Sequence, residues 1–424
     1  MQVTPQQNFR LSVDNKGLQV HADKAEIAKQ IDTNGDGQLS TQEINDYLDH
    51  QSDAGLHSCG SHHAAQFDVD ADDTNADRAR EFSFSLAQVP NPDRAGYHSF
   101  DQAIAEMDKL AQANPEYVQR QVLCTTAEGR EVVAYKLSEG AQGDTSNKTG
   151  VVITGCHHAR EWATVEAPLT LAHDLLDGLA DDPAKQARLK DSEIWIVPCV
   201  NPDGYEYSRS RDNMWRKNRR PLEVDQLGNP TKAIGVDLNR NYWDFKPEHE
   251  KIFRPEGDKP GVTGDDFSAT SDNPRSEVYR GPSGGSEVET KAMIDLQINR
   301  PNIKGCIDYH SYGNDIFYPW DHTAQPGPNL DLYNKLKPKL EDATGGWAVS
   351  QGSDLYLNSG DSTDTQGANG ILGLTFEMGK SFQPRPSQLP EITAKASAAT
   401  RTFIDEVINM DKAGLIVRGS ITPN

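Results

Sequence analysis

Apolar positions in this chain keep two rhythms, one of helical spacing and one of short continuous runs. Ser99-Phe100-Asp101-Gln102 resembles a capping box, in which a side chain at each end of the first turn satisfies a free backbone N–H. Phe100, Ile104, Met107 and Leu110 then keep helical spacing until Asn114-Pro115 stops the helix. Short apolar runs predict strands over 118–125, 132–137, 151–155, 193–200, 303–310 and 372–378. Residues 164–178 and 287–299 read as helices. Strands that alternate with helices predict an α/β sheet sandwiched by helices. No internal repeat is evident.

Residues 1–95 are expected to form a separate unit. Within them Asp32-Thr33-Asn34-Gly35-Asp36-Gly37-Gln38-Leu39-Ser40-Thr41-Gln42-Glu43 fits the EF-hand calcium loop. Asp32, Asn34 and Asp36 offer side-chain oxygens, Gln38 its carbonyl and Glu43 a bidentate carboxylate, with Ser40 direct or through water. Gly37 supplies the sharp turn, and residues 24–31 and 41–50 are candidate flanking helices. Asp68-Val69-Asp70-Ala71-Asp72-Asp73 begins alike but lacks the later Gly, and Ala79 stands where the Glu is needed, so an acidic linker is favoured over a degenerate partner loop. Pro90-Asn91-Pro92-Asp93 closes the region with turn chemistry.

Charge changes the picture by exclusion. The 64 acidic side chains outnumber the 42 basic ones, for a net charge of −22 and a pI near 4.9. Nucleic acid and anionic membranes attract basic surfaces, so neither is an expected partner. No apolar run reaches 18 residues, so no membrane-spanning helix is expected. The start, Met1-Gln2-Val3-Thr4-Pro5, has neither the basic nor the apolar part of a secretory signal. Of the five cysteines, Cys59, Cys124, Cys156, Cys199 and Cys306, the last three lie in apolar runs and read as buried thiols.

Candidate chemistry follows the third strand. His158 and Glu161 stand three residues apart just past Val151-Val152-Ile153-Thr154-Gly155. With the distant His310 they make a donor set of two imidazoles and one carboxylate, which can hold zinc and leave its fourth position open. The end of a strand is also where sites in open α/β sheets form.

His158-Ala159-Arg160-Glu161-Trp162 resembles the zinc motif of the metallocarboxypeptidases, which include the pancreatic A and B forms and bacterial carboxypeptidase T. Asn201-Pro202-Asp203-Gly204-Tyr205, Trp215-Arg216-Lys217, Gly235-Val236-Asp237-Leu238-Asn239-Arg240-Asn241, Gly281-Pro282-Ser283, His310-Ser311-Tyr312 and Thr375-Phe376-Glu377 follow in the family's order. The similarity runs from about Gly96 to about Lys412. It implies a mixed eight-stranded sheet with helices on both faces, one catalytic Zn²⁺ per chain on His158, Glu161 and His310, and Glu377 as general base. That ligand set is the one already known for carboxypeptidase A.

By the same resemblance Arg216 stabilises the tetrahedral oxyanion, and Asn239 and Arg240 anchor the substrate's terminal carboxylate. Arg160 and Tyr312 contact substrate, Tyr356 covers it, and Asp237 orients a zinc histidine. His157 is a neighbour and no ligand. Asp361 and Thr363 fall at the floor of the specificity pocket. An acid at Asp361 beside a neutral Thr363 resembles carboxypeptidase T and implies a pocket for both apolar and basic C-terminal residues.

The resulting expectation is a calcium-binding zinc carboxypeptidase acting on peptides with a free C-terminal carboxylate. Its domains are 1–95, an EF-hand-like region with an acidic linker and a candidate pro-segment, 96–412 as the catalytic domain and 413–424 as a tail. It is expected to be a monomer, and the family favours an extracellular setting. Two alternatives are a carboxypeptidase for peptidoglycan stem peptides and a catalytically inactive peptide-binding module. His57, Cys59, His62 and His63 form a small metal-capable group, read as part of a linker.

Overall fold

The structure is a computed structural model that describes residues 11–14, 17–20, 96–222, 233–254, 259–260 and 268–419. The expected calcium loop with Asp32, Asn34, Asp36, Gln38, Ser40 and Glu43 lies outside the described residues, as does the group around Cys59. The chain divides into two compact units, Met1–Val89 and Pro90–Asn424. In the first, β1 (Leu11–Asp14) pairs antiparallel with β2 (Gly17–Val20).

The second unit is built on eight strands. They are β3 (Val118–Thr125), β4 (Glu131–Leu137), β5 (Thr149–Gly155), β6 (Ser192–Val197), β7 (Ile303–His310), β8 (Asp315–Tyr318), β9 (Ala348–Gln351) and β10 (Leu372–Glu377). Across the sheet they run β9-β8-β10-β7-β5-β6-β4-β3. The central strands β10, β7, β5 and β6 are mutually parallel, while β8, β4 and β3 join antiparallel to their inner neighbours. The sheet is therefore mixed, as expected.

Alternate side chains of a strand face opposite sides, and both sides here are apolar. Val133, Tyr135, Val151, Ile153, Ile194 and Ile196 enter one core, and Val132, Ala134, Val152, Trp195 and Val197 enter the other. The first core is covered by α1 (Phe100–Ala113), α2 (Ala163–Leu176) and two further helices, Leu330–Thr344 and Leu389–Lys412. The second is covered by Val288–Gln297. The capping box forms as read: Ser99 Oγ accepts the Gln102 amide at 3.2 Å, and the Gln102 side chain accepts the Ser99 amide at 2.8 Å. No helix among the described residues is long and apolar enough to cross a membrane.

Three parallel neighbours, β5, β7 and β10, finish on the same edge of the sheet. His310 and Glu377 are the last residues of β7 and β10 and lie in register. Gly155 ends β5 where a Cβ would come 2.1 Å from the Thr164 carbonyl, so only glycine lets the chain turn into the following loop.

Candidate metal centre and active site

The loop between β5 and α2 carries the first ligands. Glu161 N donates to His158 O at 3.2 Å, a turn that brings both side chains to one side. Asn201 fixes the loop from the next strand's end: its amide nitrogen donates to His157 O at 3.0 Å, while its oxygen caps the helix Pro202–Ser210. That accounts for the Asn-Pro-Asp-Gly motif as a brace for the metal loop.

His158 Nδ1, His310 Nδ1 and the Glu161 carboxylate converge. Nδ1 of His158 lies 2.8 Å from Glu161 Oε1, Nδ1 of His310 lies 3.1 Å from Oε2, and the two ring nitrogens are 3.1 Å apart. Two ligands on a tetrahedral zinc stand about 3.3 Å apart when each bond is about 2.0–2.1 Å. The donor set is of the right kind and spacing to hold zinc. Beyond it, Asp237 Oδ1 accepts from His158 Nε2 at 3.1 Å, which leaves the Nδ1 lone pair free for a metal.

Charge state fits the same role. Burial, reinforced by Arg216, drives the His158 imidazole below its ordinary value and favours the neutral ligand form. Burial acts against the Glu161 carboxylate, but His158 and His310 outweigh it and hold the group well below its usual range. Burial pushes the Glu377 carboxyl up to about 7, with His310 pulling down and Glu161 pushing up. A carboxyl there can exchange a proton near neutral pH.

Asp237 is the hub of the inner shell. Its Oδ2 accepts from Arg216 Nε at 2.8 Å, and its Oδ1 also accepts from Asn239 N at 2.9 Å. Asn239 passes the link on, its side-chain oxygen accepting from Ser362 N at 3.0 Å. Arg240 is fixed by backbone carbonyls: Nε donates to Ala269 O at 2.6 Å and Nη1 to Asn239 O at 2.7 Å, while Nη2 reaches Tyr356 OH at 3.2 Å.

One cavity gathers His158, Asn239, Arg240, His310, Tyr356, Asp361 and Glu377. Arg160, Arg216, Tyr312 and Thr363 are not among its lining residues. Arg160 donates to Glu277 at 3.1 Å and lies over the Phe382 ring, against whose edge Tyr312 also packs. Thr363 stands behind the wall, its hydroxyl 2.6 Å from that of Thr375, which does line the cavity. His157 bonds Tyr242 OH at 2.7 Å and stacks on His310, and burial pushes it down to about 3. Cys156, Cys199 and Cys306 are free and buried. Asp321 also lines the cavity, and the sequence analysis passed it over; its only signal was an acid shortly after a strand end.

The comparisons agree with this geometry. The family profile described as zinc carboxypeptidase matches residues 103–399. Carboxypeptidase A4 of Mus musculus is 30% identical over 312 residues, covering 72% of this chain and 67% of that protein. Carboxypeptidase A1 of Rattus norvegicus is 29% identical over 325 residues, covering 74% and 71%. Bovine thrombin-activatable fibrinolysis inhibitor, solved in complex with tick carboxypeptidase inhibitor, superposes with a TM-score of 0.61 at 25% identity over 74% of this chain and 98% of that one. Carboxypeptidase A from Helicoverpa armigera superposes with a TM-score of 0.63 at 20% identity, over 89% and 88%, a likeness of fold.

Proposed function

Because this chain belongs to the zinc carboxypeptidase family, we propose that it removes single C-terminal residues, both apolar and basic, from peptides. The observation that carries this reading is one cavity that joins His158, His310 and Glu377 to Arg240 and to the acid Asp361. His158, Glu161 and His310 would hold the zinc, which when bound would supply Lewis-acid chemistry for the water and the scissile carbonyl.

The chain's own residues do the rest. Glu377 takes a proton from the attacking water and returns it to the leaving amine. Arg216, oriented by Asp237, opposes the negative charge that develops on the carbonyl oxygen. Arg240 and Asn239 hold the terminal carboxylate, a task suited to a guanidinium whose direction is already fixed by two backbone carbonyls. Tyr356, hydrogen-bonded to Arg240, is placed to close over bound substrate, and Arg160 and Tyr312 serve residues further from the terminus.

Residues 96–412 form the catalytic part in this reading and 413–424 a tail. Residues 1–95 bind calcium through Asp32, Asn34, Asp36, Gln38 and Glu43, a proposal that rests on the completeness of the loop sequence. The test is to compare N-blocked dipeptides with free and amidated C-termini on zinc-loaded protein. The free acids should be cleaved far faster, and Arg240→Ala should raise KM for them steeply. Equal cleavage of both forms by the wild type would reject the exopeptidase reading.

A further inference from the structure

The cavity ends on two carboxylates that face one another. Asp361 caps the short helix Ser362–Gly367, its Oδ1 accepting the Asp364 amide at 2.7 Å. Its Oδ2 is buried, in a residue only 1% exposed, and meets no hydrogen-bond donor among the described residues. The neighbour there is the carboxyl of Asp321. Asp321 is seated against the backbone of Gly352, where a Cβ would come 1.3 Å from its Oδ1, so the acid occupies space that any side chain at 352 would need.

A third acid completes the cluster but is already matched. Asp364 Oδ1 accepts from Asp321 N at 2.7 Å, and Oδ2 accepts from His322 N at 3.1 Å and bonds His322 Nδ1 at 2.5 Å. The charged groups that act on the pair are therefore Asp364 with its His322, and Arg240. The hydrogen bonds of Arg240 go to Ala269 O, Asn239 O and Tyr356 OH, not to either acid. Two buried carboxylates side by side cannot both stay ionised unless something positive lies between them.

We infer that Asp321 and Asp361 form the floor of the specificity pocket as a pair, sharing one proton when the substrate's last residue is apolar and releasing it when that residue is lysine or arginine. The inference rests on the mixed-specificity reading and gives it a mechanism. With Leu or Phe bound, the shared proton turns two acids into one hydrogen-bonded unit with half the charge. With Lys or Arg bound, that O–H bond breaks, the proton leaves to solvent, and the cationic head donates to both carboxylates. Burial and the adjoining acids agree with this, pushing Asp361 up to about 7 and Asp321 well above the usual carboxylate range.

The sign follows from proton linkage. While the pair holds its proton a basic side chain must displace it, and that cost falls as pH rises towards the point where the pair ionises unaided. On zinc-loaded protein the ratio of kcat/KM for a Lys-ended to a Leu-ended dipeptide should therefore rise with pH through neutrality, by up to about tenfold per unit, and level off only where the pair loses its proton unaided. The ratio cancels the titrations of the metal centre, which both substrates share. Asp321→Asn should flatten the profile. A second measurement does not depend on that variant folding: calorimetry of Glu377→Gln protein with the Lys-ended dipeptide, in two buffers of different ionisation heat, should show close to one proton released at pH 6 and none with the Leu-ended one.

The outcomes separate. A flat ratio with both classes cleaved would overturn the proton-sharing pair and leave mixed specificity standing. Cleavage of Leu but never of Lys or Arg, at any pH, would overturn the mixed-pocket reading and this inference with it. A divalent ion beyond the zinc and the EF-hand calcium, lost in Asp321→Asn, would show that the pair holds a metal and not a shared proton, and would overturn the inference.

Discussion

Asp237→Asn should weaken zinc binding and destabilise the metal-free protein, although Asp237 touches no metal. The carboxylate is fully buried and accepts three hydrogen bonds: His158 Nε2 and Asn239 N on one oxygen, Arg216 Nε on the other. An amide has only one acceptor end. If its oxygen keeps His158 and Asn239, its NH₂ faces the guanidinium, donor against donor, and the buried Arg216 charge loses its partner. Removing one member of a buried ion pair costs about 3–5 kcal/mol. If the amide turns round, the His158 N–H is left unmatched and the ring loses the contact that fixes its tautomer. Loss of such an outer partner typically weakens metal affinity by about 10–100-fold. The zinc Kd is read by competition with a chelator, and stability by urea unfolding of the metal-free protein. A variant with zinc affinity within about twofold of wild type and stability within about 1 kcal/mol would refute the role of Asp237 as the hub of the site.

Glu377→Gln should keep zinc and lose about 10²–10⁴ in kcat, the usual contribution of a positioned base. The wild-type kcat/KM should fall as pH drops through the Glu377 titration, because only the carboxylate can accept the proton, and the residual activity of the variant should lack that limb. Glu43→Gln should weaken calcium binding of the whole zinc-loaded chain by removing both charge and bidentate geometry; absence of calcium heat in the wild type would end the loop assignment. Asp361→Ala should cost about 1 kcal/mol of stability through the lost helix cap, whereas Asp361→Asn keeps an acceptor for the Asp364 amide and should unfold like wild type. Both should lose Lys and Arg substrates selectively, and a variant of either kind with an unchanged substrate profile would remove Asp361 from the pocket.

The central sheet was legible because its strands are long, apolar on both faces and bounded by turn residues. Residues 303–310 were read as a strand and are one, end to end; 193–200 ran three residues too far, because Pro198 breaks the ladder after Val197 while the apolar pattern continues. The outer strand β9 and its neighbour β8 went unread, being four residues each and held by neighbours rather than by their own pattern. The helix Leu389–Lys412 was also passed over. After Leu389 its buried stripe runs through Thr393, Ala396, Ser397, Ala399 and Thr400, small or polar residues that pack closely without raising the local hydrophobicity.

The site divides along a similar line. His158, Glu161, His310 and Glu377 were read through the resemblance, His310 and Glu377 at the ends of apolar strands and His158 and Glu161 in the loop that follows one. The pocket was harder because its residues do two things at once. Asp361 was read as a pocket acid from the resemblance alone, yet it is also the cap of the helix Ser362–Gly367. In the structure one of its oxygens accepts the Asp364 amide, and the residue lines the cavity. Asp321 had no such signature, since its place depends on the absence of a side chain thirty-one positions later at Gly352. A carboxylate whose seat is defined by a distant glycine and whose partner is a second carboxylate can be recognised only once the fold has brought the three together. That is also why specificity in such a pocket can change by single substitutions while the metal centre stays fixed: the donors are set by strand ends, and the floor by loops that the strands do not constrain.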